Sequence, residues 1–327
     1  METLPKVDSS SLHTLAINGL PAPSASLERD TPTGSQLLSW RQDLLHQGGD
    51  RETLDWFLEM TAGLSWSSLQ TLRLHPSRQI QLPIPRRDLE RLWQDHLDTR
   101  IPVQYLVGRC CWRTFEMAVG PSVLIPRPET EILVDLAIDI VQSKGPAPSL
   151  MSQAAPEFLW ADLGTGSGCL ALAMAEAWPE SQGLAVDLSE EALHQASINL
   201  QNAGLGTRVQ LVQGDWLEAL QHWWGRLRLV VSNPPYIPSH QIIHLDPVVR
   251  DHEPWLALDG GQDGLCAIRT IVEAAPRALA PGGWLLLEHH HDQSAQVLSL
   301  LDQRGLVDSQ FHLDLEGNRR FASARQP

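Results

Sequence analysis

The spacing of apolar residues changes twice along the chain. Residues 1–34 are rich in Ser, Pro, Thr and Gly and show little periodicity, so they read as a poorly ordered extension. Over 35–100, Leu37, Leu38, Trp40, Leu44 and Leu45 recur at helical spacing, as do Leu54, Phe57, Leu58, Leu89, Leu92, Trp93 and Leu97. Pro76, Pro83 and Pro85 punctuate these runs, which predicts a small bundle of short helices. Two short apolar runs, Tyr105–Val107 and Thr114–Val119, have the rhythm of a hairpin and place a link at 101–122. Lys144–Ala155, rich in Pro and Ser, reads as a surface loop. From Glu157 onward short apolar strands alternate with helical segments: strands at Phe158–Leu163, Leu184–Leu188, Val209–Val212, Leu227–Ser232 and Trp284–Glu288, and helices at Cys169–Trp178, Glu190–Ala203 and Gly264–Leu279. Gly282-Gly283 predicts a turn, and Ser309–Leu313 with Arg320–Ala324 a terminal hairpin. Such alternation implies an α/β domain over 123–327, with a mostly parallel sheet covered on both faces.

Composition narrows the function classes. A formal net charge of -15 is a poor match for nucleic acid, whose binding rests on Lys and Arg neutralising phosphates. No apolar run approaches the length needed to cross a bilayer, and the first residues lack the basic start and compact apolar stretch of a secretory signal. Cys110, Cys111, Cys169 and Cys266 form no C-x-x-C pair, which argues against a zinc site or disulfide framework and for a reducing cytoplasm.

Asp162-Leu163-Gly164-Thr165-Gly166-Ser167-Gly168 lies where a strand gives way to a helix. Glycines there let the backbone turn sharply and approach a ligand, and the helix start presents free N–H groups. The same pattern suits a dinucleotide-binding turn. Asp187, closing the next strand, can accept hydrogen bonds from both hydroxyls of a ribose, which points to a nucleoside cofactor of either kind. Asp215 and Trp216, after the third strand, offer a carboxylate and an indole suited to gripping and covering an adenine ring.

Asn233-Pro234-Pro235-Tyr236 follows the fourth strand and decides between them. The prolines fix the backbone and leave carbonyls without local N–H partners. Asn233 Oδ1 and the Pro234 carbonyl can together accept both hydrogens of one NH2 group, while Tyr236 supplies a flat face for a planar substrate. The nitrogen of an amide or aryl amine delocalises its lone pair. Two acceptors on its hydrogens raise electron density there and favour attack on a sulfonium methyl, with no general base required. These four residues thus predict methyl transfer to a planar nitrogen, with adenine and an amide both open.

Seven stretches together resemble the HemK/PrmC family of release-factor glutamine methyltransferases: VLIPRPETEILV (Val123–Val134), DLGTGSGCLALA (Asp162–Ala173), AVDLS (Ala185–Ser189), GDWL (Gly214–Leu217), VSNPPYI (Val231–Ile237), VVRDHEPWLALDGGQDGL (Val248–Leu265) and LAPGGWLLLE (Leu279–Glu288). The resemblance implies a Rossmann-like seven-stranded S-adenosylmethionine-dependent methyltransferase domain behind a small N-terminal helical domain that docks the protein substrate. It implies methylation of the side-chain amide of the glutamine in the Gly-Gly-Gln loop of class I peptide chain release factors. Gly164, Thr165, Gly166, Ser167, Gly168, Asp187, Trp216 and Asn233 would contact the cofactor. Asn233, Pro234, Pro235 and Tyr236 would hold the glutamine, with Asn233, Pro234 and Tyr236 catalytic. Pro126–Glu131 would wrap the rim, with Arg127 either supporting it or making a structural ion pair. An adenine amino-methyltransferase, a ribosomal-protein glutamine methyltransferase and a non-catalytic binding module are the alternatives. The chain departs from the family pattern after Glu288, where His289-His290-His291 replace a stretch that usually contains a glycine. Consecutive strand residues point to opposite faces, so the triplet is read as a loop-edge variation and not as a metal site.

Overall fold

The computed structural model describes residues 30–144 and 158–327. Most of the predicted N-terminal extension and nearly all of the Lys144–Ala155 loop lie outside the described residues. The chain divides into two compact units, one ending at Gly108 and the other spanning Arg109–Pro327.

The first unit contains α1 (Gly34–Gln47), α2 (Arg51–Ala62), α3 (Trp66–Leu74), α4 (Arg86–Thr99) and α5 (Val103–Val107). Thr33, Asp50 and Ser65 cap the first three, each accepting a backbone N–H with its side chain. Leu37, Trp40, Leu44, Leu54, Phe57, Leu58, Leu89, Leu92 and Trp93 form the core that the helical spacing predicts. Asp30–Gly34 depart from the predicted extension. Asp30 pairs with Arg86, the Asp30 and Pro32 carbonyls accept from Leu82 and Ile80, and α1 begins at Gly34. Tyr105–Val107 also differs from its reading as a hairpin arm: it is the end of α5, opened after Pro102 and stopped by Gly108 in the left-handed conformation. The hairpin arms are β1 (Arg109–Trp112) and β2 (Phe115–Ala118).

In the second unit a 3-10 turn at Pro128–Thr130 runs into α6 (Glu131–Lys144). There follow β3 (Leu159–Leu163), α7 (Cys169–Ala177), β4 (Gln182–Asp187), α8 (Glu190–Asn202), β5 (Val209–Gln213) and β6 (Leu227–Ser232). Two short helices, α9 (Pro247–Arg250) and α10 (Trp255–Leu258), precede α11 (Cys266–Ala278), β7 (Leu279–Glu288), α12 (Ser294–Gln303), β8 (Val307–Leu313) and β9 (Arg319–Arg325). Among the described residues, seven strands form one sheet in the order β5-β4-β3-β6-β7-β9-β8. The first five are parallel, and β9 and β8 close the edge antiparallel.

Every residue of β3 is buried, as a central parallel strand requires. Leu159, Ala161 and Leu163 face a core shared with α11 and α12, while Asp162 turns to the other face and accepts from the first turn of α7. Gly282-Gly283 is not the simple turn predicted. It lies inside β7 as an irregularity between the Leu227–Leu279 and Leu229–Trp284 pairs. Gly283 must be glycine, because a Cβ there would stand 2.7 Å from the Leu227 carbonyl oxygen. Among the described residues, no helix is long and apolar enough to cross a membrane.

The chain winds outward from β3 to β5, then returns to add β6 beside β3. Ligands of open α/β sheets bind at such a reversal, beyond the carboxyl ends of the strands.

Candidate active site

A cavity of about 620 Å³ opens at that place. The glycine loop leaves β3, Asp187 ends β4, Asp215 and Trp216 follow β5, Asn233 follows β6, and Glu288 ends β7. Gly164, Thr165, Gly166, Ser167, Asp187, Trp216, Asn233 and Pro235 line the cavity, as do Pro126 and Arg127 from the rim. Gly168, Pro234 and Tyr236 do not. Gly168 sits at the start of α7, where a Cβ would press on Ala196 at 3.1 Å. Pro234 is buried, and the Tyr236 ring lies 6.3 Å from that of His290.

The loop owes its shape to Gly164, Gly166 and Gly168, with φ of 69°, 54° and 83°. Space beside Gly166 is open, whereas a Cβ on Gly164 would meet the Trp216 indole at 3.0 Å. Trp216 itself holds φ at 43°, a sparsely populated conformation for a bulky residue. Asp187 Oδ2 accepts from Gly166 N at 2.9 Å and Oδ1 from Ser189 N at 3.0 Å, so each oxygen keeps a lone pair for a further donor. Burial raises the Asp187 pKa, against the pull of the Ser189, Gly166 and Leu188 N–H groups.

Beneath the loop, buried Asp162 accepts from Thr165 Oγ1 at 2.6 Å and Ala171 N at 3.1 Å. Its other oxygen has no partner among the described residues. Burial pushes this carboxyl up to about 7. Asn199 on α8 ties the loop to the hairpin: its Oδ1 accepts from Ala118 N, and its Nδ2 donates to the Ala118 and Ser167 carbonyls.

At the other end of the cavity, Asn233 Nδ2 donates to Thr130 Oγ1 at 3.0 Å. Thr130 Oγ1 donates to Glu288 Oε2 at 2.8 Å, and the Tyr236 hydroxyl lies 3.4 Å from Glu288 Oε1. Burial raises the Tyr236 phenol, and the neighbouring Glu288 carboxylate raises it further. Among the described residues, no group donates to Asn233 Oδ1 or to the Pro234 carbonyl. Arg127 makes a structural ion pair, donating from Nη2 to the buried Glu253 Oε1 at 2.5 Å. That pair joins the PRPETE stretch to the EPWLAL stretch.

Thr130, Glu288, Glu253, Asp162 and Asn199 carry roles that motif reading did not assign. Four of them lie inside the quoted motifs, which was the available signal; Asn199 had none beyond being polar on a helix face that packs inward. The His triplet follows the strand, which ends at Glu288, as a loop-edge variation would. His289 is buried, with its N–H on the Arg320 carbonyl, while the His290 and His291 rings lie 4.2 Å apart on the turn that follows.

The family model "Methyltransferase small domain" matches residues 149–247. A release factor glutamine methyltransferase of Prochlorococcus marinus is 46% identical over 295 residues, spanning 90% of this chain and 98% of its own. This chain belongs to the release factor glutamine methyltransferases. A second member, from Synechocystis sp., is 41% identical over 302 residues, covering 90% of this chain and 97% of its own. Among solved structures, the T. Thermophilus 16S rRNA N2 G1207 methyltransferase matches 67% of this chain and 50% of that chain at 19% identity, with a TM-score of 0.44. Membership in this family makes the chain a methyltransferase and sets aside the non-catalytic module.

Proposed function

We propose that this chain transfers a methyl group from S-adenosylmethionine to the side-chain amide nitrogen of the glutamine in the Gly-Gly-Gln motif of class I peptide chain release factors, tuning translation termination. The observation that carries this reading is a pair of unclaimed acceptors after β6, Asn233 Oδ1 in the cavity lining and, next in the chain, the Pro234 carbonyl outside that lining, with the Asn233 amino group already occupied by Thr130. Two acceptors match the two hydrogens of one primary amide. Relatives of nearly full length bear the name release factor glutamine methyltransferase, and the net charge of -15 opposes a nucleic-acid substrate.

The cavity fits the donor. Open space at Gly166 admits a ligand against the loop, the spare lone pairs of Asp187 suit ribose hydroxyls, and Trp216 with Asp215 suits an adenine. Gly164, Thr165, Ser167 and Asn233, which also line the cavity, complete the contacts, while Gly168 shapes the loop at the start of α7. When bound, S-adenosylmethionine supplies a methyl group on a positively charged sulfur.

Asn233 and Pro234 hold the glutamine nitrogen by its hydrogens and draw its lone pair out of conjugation. Pro235 keeps that backbone rigid, and Tyr236 supports the planar amide. As the new N–C bond forms and the bond from sulfur to the methyl group breaks, leaving a neutral thioether, the nitrogen sheds one proton to water and the product keeps the other. The gain comes from orientation and from acceptors set before reaction.

The helical unit α1–α5 is assigned to docking the release factor. The reaction belongs in the cytoplasm, in keeping with the four free cysteines. With labelled S-adenosylmethionine, the purified chain is expected to label a class I release factor and to leave its Gly-Gly-Gln Gln→Ala variant unlabelled. Persistent labelling of that variant overturns the substrate assignment.

A further inference from the structure

We propose that the carboxylate of Glu288, acting through Thr130, fixes which way round the Asn233 side-chain amide sits, so that Oδ1 and not Nδ2 meets the substrate. Glu288 and Thr130 are thus positioning residues. The inference rests on the amide-methylation reading above.

The two ends of an Asn side chain are nearly identical in size, so shape alone does not choose between them. In the wrong orientation Asn233 would point an NH2 group at the NH2 group of the substrate, donor against donor. A directional signal must therefore come from its hydrogen-bond partners. Thr130 does not supply one by itself, because a hydroxyl both donates and accepts.

Glu288 removes that ambiguity. An ionised carboxylate only accepts, so the Thr130 proton points at Glu288 Oε2, 2.8 Å away. Thr130 Oγ1 then has only lone pairs for Asn233, and the group facing it at 3.0 Å must be the NH2. Oδ1 is left toward the cavity. Both Thr130 and Glu288 are buried, 2% and 1% exposed, which limits competition from water. The other oxygen of the same carboxylate faces the Tyr236 hydroxyl at 3.4 Å. One carboxylate therefore sets the polarity of the Asn233 side and steadies the aromatic side of the same site. This also gives the PRPETE stretch a reason to accompany NPPY, since Thr130 is its contribution to the chain of bonds.

The test compares Thr130→Val, Thr130→Ser and Glu288→Gln in the full-length chain. Glu288→Gln keeps the shape but adds an NH2 that can donate to Thr130, letting the hydroxyl turn and the Asn233 amide flip. It also removes a buried charge, so it stays informative if Thr130→Val folds poorly. Expected for Thr130→Val and Glu288→Gln is a kcat at least tenfold lower, with KM for the release factor and calorimetric affinity for S-adenosylmethionine within twofold of wild type. Thr130→Ser should restore kcat. A readout independent of turnover is the 15N-resolved side-chain amide signal of Asn233, assigned by its loss in Asn233→Ala. It should be shielded from exchange in wild type and Thr130→Ser, and exchange freely in the other two. The proposal falls if wild type is active and both variants keep kcat within twofold, or if the amide signal is unchanged by them. If the amide behaves as described but wild type methylates no release factor, the lock stands and the substrate reading falls.

Discussion

Asn233 is the side chain whose loss should act most directly on turnover. Replacing it with Ala removes one of the two acceptors proposed to hold the reacting nitrogen. A lost transition-state hydrogen bond of this kind costs roughly 2–4 kcal/mol, so kcat is expected to fall well over tenfold. Near-wild-type turnover would refute the role. Glu288 adds a dependence on pH. Burial pushes its carboxyl up to about 7, Thr130, Arg320 and Tyr236 pull it down, and Glu129 pushes it up. His289, next in the chain, is held toward its neutral form by burial. Below that value Glu288 gains a proton and can itself donate to Thr130, so the hydrogen-bond chain loses its direction. Activity requires the ionised form, and kcat should therefore drop as pH falls through about 7 in wild type, with this limb missing in Glu288→Gln. A flat kcat profile for wild type between about pH 6 and 8 would speak against it. The placement of the glycine loop, Asp187 and Asn233 at the cavity was legible in the sequence because each belongs to a short local pattern at a strand end. The partnership of Thr130 with Asn233 was not, because 103 residues separate them and only the sheet brings them together.

At the level of elements, short apolar runs located the strands of the second unit to within a few residues. Helical spacing located three of the seven α-helices among its described residues, α7, α8 and α11, while α6, α9, α10 and α12 went unread. They failed where a local signal competed with apolar spacing. Tyr105–Val107 is apolar enough for a strand, yet Pro102 before it and Gly108 after it are the marks of a one-turn helix. Gly282-Gly283 has turn composition but is absorbed into β7, where the neighbouring Leu227 carbonyl needs a residue without a side chain. Asn199 shows how elements are joined at the site. From α8 it satisfies both main-chain groups of Ala118 in β2 and the Ser167 carbonyl in the loop. Asn199→Ala strands those groups, and each unmet buried partner costs about 1–3 kcal/mol. Urea unfolding should show a loss of that order, and calorimetry weaker binding of S-adenosylmethionine. A variant unchanged in both would show that the loop holds its shape without α8.

For the whole molecule, the buried carboxyls set how stability responds to pH. Asp162 and Glu288 each titrate near 7 when folded, above their ordinary values of 3.8 and 4.5, because burial disfavours charge. Between those values and 7 the folded chain binds protons that the unfolded chain has released, so stability falls as pH rises across that window. Asp314 works the other way. Burial pushes it up, but donors from Asn318 and Arg320 outweigh burial and hold it at about 2, so its contribution is gained as pH rises from there toward 3.8. The urea midpoint should accordingly peak on the acid side of neutrality and decline toward pH 8. Asp162→Asn should flatten part of the decline. A midpoint that rises steadily from about pH 5 to 8 would contradict this account.

Glu288 also bears on the order in which the site comes into being during synthesis. The glycine loop, Asp187 and Trp216 all emerge with β3, β4 and β5, and Asn233 directly after β6. Glu288 arrives only with β7, 158 residues after the Thr130 it must direct. A chain cut short before β7 carries every residue assigned to the methyl donor but nothing to orient the acceptor clamp. The strand that directs the acceptor clamp is thus made after all the strands that carry the donor contacts, so those contacts and the clamp are not completed together.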